Sequence, residues 1–342
     1  MSALLSAALL IVVSAHLGIA VPEEPDGLPP DIEALYNAGQ YRQAAQALQA
    51  ALKRNPENPL LNYWLGRSLF EIRDFSKAIS SFERAAKIEP QNSDFHDWLG
   101  RACGRKAEEN SHSNMPAALP LARRAHHEFE VAVQLDASNV KAQRDLIAFT
   151  ANAPGTLGGG EQHALEQIRA LSAVDATEEM LALADLFAVQ RKFDKASAQY
   201  EKVLASSPNR IDVYFEIADY YRDQGDSQAM KQAVESADRI GPSDSRLNYY
   251  RGVALVLAAG EPAAAEENLR TYISNVPENS ELPSHASAYE WLGKLYENEN
   301  KPDLAAEQYQ AALALDPRDK AAREALKKLQ KRQRTVNEPV NP

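Results

Sequence analysis

The chain has 342 residues, 44% apolar, 25% charged and 7% aromatic, with 37 Lys and Arg against 48 Asp and Glu. A formal charge of -11 argues against a nucleic-acid binder, whose affinity for phosphates comes from clustered cations. The single cysteine, Cys103, excludes an intramolecular disulfide, so packing alone must hold the fold.

Residues Met1 to Val21 contain no Asp, Glu, Lys or Arg, and Ala3 to Val13 has the length of a signal-peptide hydrophobic core. Gly18-Ile19-Ala20 follows as a small-x-small cleavage pattern. Residues 1–20 therefore read as an export signal or, if uncleaved, as an N-terminal membrane anchor. Either way the protein is expected in the periplasm or secreted, with inner-membrane anchoring in the second case. Residues 21–30 carry four prolines and three acids and read as an extended linker.

From there a phrase recurs: Ala44 to Pro56 (AAQALQAALKRNP), Ala78 to Pro90 (AISSFERAAKIEP), Ala196 to Pro208 (ASAQYEKVLASSP) and Ala305 to Pro317 (AAEQYQAALALDP). A small residue, a large apolar one four on, a small one three further and a closing Pro describe a helix with one apolar face, ended where Pro cannot continue it. Upstream of three such phrases stand Trp64-Leu65-Gly66, Trp98-Leu99-Gly100 and Trp291-Leu292-Gly293, each on another helical pattern. Gly or Ala at that slot, including Ala184, Ala218 and Gly252, lets two helices approach. The unit is a helical hairpin, helix A then helix B, with a period of 34 residues.

These residues resemble the tetratricopeptide repeat, whose pattern W-x2-L-G-x2-Y, A-x3-F, P is matched in the last unit by Leu292, Gly293, Tyr296, Ala305, Tyr309, Ala312 and Pro317. In the second unit the match runs through Leu65, Gly66, Leu69, Ala78, Phe82, Ala85 and Pro90. Trp stands immediately before the Leu, which leaves Asn62, His96 and Tyr289 in the usual tryptophan slot. The resemblance implies an all-α, right-handed superhelix (an α-solenoid) of about eight hairpins over residues 31–334, followed by a tail at 335–342.

In chain order, unit one has a first helix shortened by Pro29-Pro30. Unit three carries about 13 extra residues between its helices, within Lys106 to Pro120, and unit four about five, in Ala153 to Gly160. Glu278 to Ser284 is an added loop before unit eight, and Lys320 to Arg334 forms a charged capping helix. The basic residues Lys327, Lys328, Lys331, Arg332 and Arg334 complement the C-terminal dipole of that helix.

Chemistry-bearing motifs are scarce. Gly155 to Gly160 precedes a helix but lacks the Gly-Lys-Ser/Thr of a phosphate loop and the strand of a dinucleotide fingerprint, and reads as a turn needing positive φ. His96, His112, His126 and His127 fall near Cys103, yet His126-His127-Glu128 is no HExxH, and adjacent histidines on one helix point about 100° apart. No catalytic residues, cofactor or metal site are expected. The resemblance places helix A on the concave side, where the groove-facing slots hold Tyr63, Arg67, Phe70, Asp97, Arg101, Lys141, Arg144, Phe215, Asp219, Arg222 and Tyr249. Aromatic and Arg side chains anchor peptide partners. The expected function is a non-enzymatic scaffold that binds a protein or peptide segment in this groove, without nucleic acid, and touching a membrane only through an uncleaved first segment. The alternative is a periplasmic small-ligand or metal-handling protein built on the insertions of units three and four.

Overall fold

A computed structural model of the protein describes residues 27–111 and 114–337, with only the backbone at 333–337. The expected export segment, most of the linker, His112 and residues 338–342 lie outside the described residues. Among the described residues there are seventeen α-helices and no strand. They pair as eight antiparallel hairpins, α1 (Pro30–Asn37) with α2 (Tyr41–Leu52), α3 (Pro59–Glu71) with α4 (Phe75–Ile88), α5 (Ser93–Ser111) with α6 (Met115–Leu135) and α7 (Val140–Asn152) with α8 (Glu161–Leu171). There follow α9 (Ala176–Val189) with α10 (Phe193–Ser206), α11 (Ile211–Gln224) with α12 (Ser227–Ile240), α13 (Arg246–Leu257) with α14 (Pro262–Asn275) and α15 (His285–Asn298) with α16 (Pro302–Leu315). Each hairpin packs on the next, that of α9 and α10 meeting α11 and α12 through side chains such as Tyr200 and Tyr220, giving an all-α superhelix closed by the capping helix α17 (Lys320–Asn337). Among the described residues no helix is long and apolar enough to cross a membrane.

The repeated small residue sets the spacing within each hairpin. A Cβ added to Gly66 would stand 2.6 Å from the Phe82 ring, and one on Gly293 the same distance from Tyr309. Both aromatic rings are fully buried, so the large side chain of helix B fills the notch that the glycine leaves in helix A. On the last unit, Ala322 and Leu329 of α17 are buried against the apolar face of α16.

The turn between helices A and B repeats just as strictly. Gly39, Arg73, Arg191, Gly225, Ala259 and Asn300 all have φ between +49° and +73°. In each case the following N–H donates to the carbonyl five residues back, as Asp74 does to Leu69 and Gly260 to Leu255, at 2.9 Å in both. This is the Schellman closure of a helix C-terminus. The six turns belong to all units except three and four, the two that carry insertions.

Two boundaries differ from expectation. Most of the extra residues of unit three lengthen its helices, α5 to 19 residues and α6 to 21. Pro120 sits inside α6, where its missing N–H strands only the carbonyl of Pro116 near the helix start, and both prolines are exposed to water. The capping helix continues past Arg334 to Asn337, so the tail does not begin at 335.

Candidate functional site

Helices A of the first units converge on one indole ring. Trp98 of α5 is 2% exposed, with the Arg67 guanidinium carbon 3.8 Å from a ring centroid, that of Arg101 at 4.8 Å and Lys141 Nζ at 5.2 Å. Three cations so close would repel one another without an anion. That anion is Glu281, from the loop between α14 and α15. Its carboxylate lies 3.1 Å from Arg67 Nη2 and 3.6 Å from Arg101 Nη1, and accepts a short hydrogen bond from Lys141. Burial works against ionisation of Glu281, but the Lys141 ammonium and the two guanidinium groups outweigh it and hold the carboxyl below the usual range.

The rest of the loop is fastened to units one and two. Tyr41 donates to the Glu278 carbonyl at 2.8 Å, and the Ser280 N–H and hydroxyl both donate to the Glu71 carboxylate at 2.8 Å. Pro277 rests on the turn of unit one, where a Cβ on Gly39 would come within 2.8 Å of its ring. A loop between units seven and eight is thus seated across units one to four.

Further along, the groove changes sign. Arg101 also bridges Asp97, at 3.2 Å, and Asp145. Asp97 is 1% exposed, and one of its oxygens has no hydrogen-bond partner. Its burial, and then the neighbouring Asp145 carboxylate, push its pKa up to about 8. Arg144 is gripped by three carboxylates: Glu178 at 2.8 Å, Asp185 at 2.6 Å and Glu216 at 2.7 Å. Burial pushes Glu216 up to about 7 and raises Asp185 as well, with the Arg144 guanidinium opposing both. Beside this hub opens a cavity of about 440 Å³, whose charged lining is Arg144 against Asp145, Asp185, Glu216, Asp219 and Asp223, over an apolar floor that includes Ile147, Ala151 and Val189. On its far side Arg222 pairs with Asp219 at 2.5 Å, which accepts from the Tyr250 hydroxyl at 3.0 Å.

The sequence profile of the tetratricopeptide repeat family matches residues 32–95, 181–245 and 255–320, more than half of the chain. The chain belongs to the tetratricopeptide repeat family. No curated protein matches its sequence. Among solved structures it is similar to a human IFIT1 dimer with m7Gppp-AAAA, at 17% identity and TM-score 0.54, over 90% of this chain and 72% of that one. It is similar to a monomeric IFIT1 mutant with Gppp-AAAA, at 16% identity and TM-score 0.52, over 90% of this chain and 73% of that one. A tetratricopeptide repeat protein from Parabacteroides merdae covers 83% of this chain and 99% of its own, at 15% identity and TM-score 0.47. At these identities the likeness is one of fold. Tetratricopeptide repeat proteins are typically non-enzymatic and bind protein partners.

In this repeat protein the predicted groove residues fall into clusters. Arg67 and Arg101 meet, with Lys141, on Glu281, while Asp97 is drawn under Arg101. Arg144 forms its own hub, and Asp219 and Arg222 meet Tyr249, whose hydroxyl is 2.8 Å from that of Ser287. Phe70 and Phe215 turn into the helix interfaces: Phe70 packs edge-on against Phe75 and Trp98, and Phe215 stacks on Tyr250 at 4.4 Å. Tyr63 is half-buried between Trp64 and Phe95.

Sequence reasoning missed Trp98, Glu281, Asp185 and Glu216. Asp185 had a signal, because it stands 34 residues before Asp219 and, like Arg67 and Arg101, directly after the small slot residue of helix A. Glu281 had none, since its partners are 140 to 214 residues away.

Two histidines of unit three serve pairing and packing. His96 Nδ1 lies 2.7 Å from Glu128, and His126 stacks on Phe149 with ring centroids 5.2 Å apart. Cys103 is fully buried, which pushes its thiol up to about 12. Gly158, at φ +89°, closes a single 3-10 turn (Gly155–Leu157) directly over His126, where a Cβ would meet the ring at 2.4 Å.

Proposed function

We propose that this protein is an exported, non-enzymatic scaffold that holds an extended segment of a partner protein along its concave face. The segment is recognised in units four to six by a Lys or Arg side chain flanked by apolar residues. The observation that carries this reading is the cavity beside Arg144, where five carboxylates face one guanidinium above an apolar floor. A cationic side chain entering there gains charge-assisted hydrogen bonds, while its neighbours bury apolar surface. Arg101 and Arg222 offset part of the acidic field, which favours one or two cationic side chains over a long basic run. Export is supported by the uncharged apolar first segment and its small-x-small end.

The test is site-specific photo-crosslinking in cells that make the protein. A crosslinker at Asp223, on the cavity rim, is expected to capture a discrete partner, whereas one at Lys231, exposed on α12, captures none. Equal capture from both positions, or none from Asp223, contradicts groove binding. N-terminal sequencing of the mature chain tests export, with Val21 as the expected first residue.

The alternative, ligand or metal handling by the insertions, has less support. Most of the unit-three insertion lengthens two helices, and the Cys103 thiol is enclosed. Zinc titration by calorimetry is expected to give no heat.

A further inference from the structure

The loop before unit eight exceeds what the repeat requires. Successive left-handed turn residues stand 34 apart from Gly39 to Arg73, from Arg191 to Gly225 and from Gly225 to Ala259, but 41 apart from Ala259 to Asn300. The seven-residue excess is the loop that crosses the groove. It contains Pro277 and Pro283, forms no helix, and exchanges hydrogen bonds or ion pairs with side chains of α2, α3, α5 and α7. Apart from Tyr41 on helix B of unit one, its seat consists of helix A side chains on the concave wall, the surface from which a superhelix of this kind recognises extended segments.

The seat also has a definite chemical demand. Arg67, Arg101 and Lys141 gather over Trp98 and need an anion between them, and Glu71 needs a hydroxyl or an N–H, which Ser280 supplies. We infer that this niche is a second recognition site, for an extended acidic segment of a partner protein, and that residues 277–284 occupy it as a built-in competitor. An incoming segment with a Ser-Glu or similar pair displaces the loop and reopens the groove at units one to four. The inference rests on the concave face being the partner-binding face, but it concerns the cationic half and not the open acidic cavity.

The probe is a fluorescent peptide with the sequence of residues 277–284 (PENSELPS), blocked at both ends and followed by anisotropy. The chain as it stands binds it weakly, because its own loop is present at high effective concentration. The double variant Ser280→Ala/Glu281→Gln frees the niche and is expected to bind at least about tenfold more tightly, as an apparent affinity rises with the fraction of competent sites. Adding Arg101→Ala removes that gain, and a peptide with Gln in place of its second Glu does not bind. If the double variant melts without cooperativity, a chain with residues 278–284 replaced by seven Gly and Ser residues takes its place. Unimproved binding by the released chain, or equal binding of the Glu and Gln peptides, overturns the inference and marks the loop as a fixed strut. The crosslinking result at Asp223 is independent of either outcome, so failure here is distinct from failure of the groove reading.

Discussion

The two halves of the concave wall are built on one register and carry opposite charge. The position after the small slot residue of helix A is Arg67 and Arg101 in units two and three, but Asp185 and Asp219 in units five and six. In the first pair Arg67 is neutralised by a carboxylate brought from a distant loop, which Arg101 shares while also pairing with Asp97 and Asp145; the second pair is neutralised mainly by guanidinium groups of the groove itself, Arg144 and Arg222. One backbone plan therefore yields a cationic niche covered by the chain and an acidic cavity left open. The difference lies in side chains that the repeat pattern does not constrain.

The comparison can be broken most severely at Arg144. Replacing it by Ala leaves Glu178, only 4% exposed, with Asp185 and Glu216 beside the cavity, short of their shared cation. A loss of about 2–3 kcal/mol is expected in urea unfolding, because buried Glu178 loses one of its two guanidinium partners, while Asp185 and Glu216 are partly exposed to water. Glu281→Gln in the other half is expected to cost only about 1 kcal/mol, since its carboxylate is partly exposed and the loop has other anchors.

Acidity separates the groove's own carboxylates from the loop carboxylate by sign. Asp97, raised to about 8, and Glu216, raised to about 7, keep in the folded chain a proton that the unfolded chain releases near its ordinary carboxyl pKa. Stability is then expected to fall as pH climbs from about 4 to those values, by up to about 1.4 kcal/mol per pH unit for each group, and Asp97→Asn should flatten the slope. Glu281 behaves oppositely. Its folded pKa is depressed, so its contribution is present above the unfolded carboxyl value and is lost as pH falls through the folded one. Thermal melts from pH 4 to 8 and hydrogen exchange of the loop below pH 4 read the two trends separately.

The smallest effect concerns the frame that both halves share. Ala259 holds a left-handed conformation, at φ +49°, that a glycine adopts without strain. Ala259→Gly is expected to stabilise by about 0.5–1 kcal/mol, seen as a higher urea midpoint at unchanged slope. The fold should be more stable while both halves of the groove are unaltered.

What could be read from the sequence divides along the same physical line. Hairpin spacing, the Gly66 and Gly293 notches, the capping helix and the shortened first helix were legible, because each rests on local periodicity or on steric rules for Gly and Pro. Arg73, Arg191 and Ala259 gave no warning of their left-handed turns, since nothing in those side chains favours one, whereas Asn300 is of a type that adopts it readily. Helix formation by the unit-three insertion hung on its Ala-rich stretch continuing through Pro120, against the expectation of a break. In the site, Arg67, Arg101, Arg144, Asp219 and Arg222 could be named from register alone. Their partners could not, because the ion pair to Glu281 joins parts of the chain that meet only when the superhelix curls back on itself.

That long-range contact carries the account, and a double-mutant cycle on Arg67→Met and Glu281→Gln measures it directly. The two residues lie 214 positions apart, with the guanidinium and carboxylate 3.1 Å from each other. A coupling energy of about 1 kcal/mol in urea unfolding is expected if the loop is seated on the niche. Additivity within about 0.3 kcal/mol would contradict it, leaving the loop off the groove and both halves of the wall open.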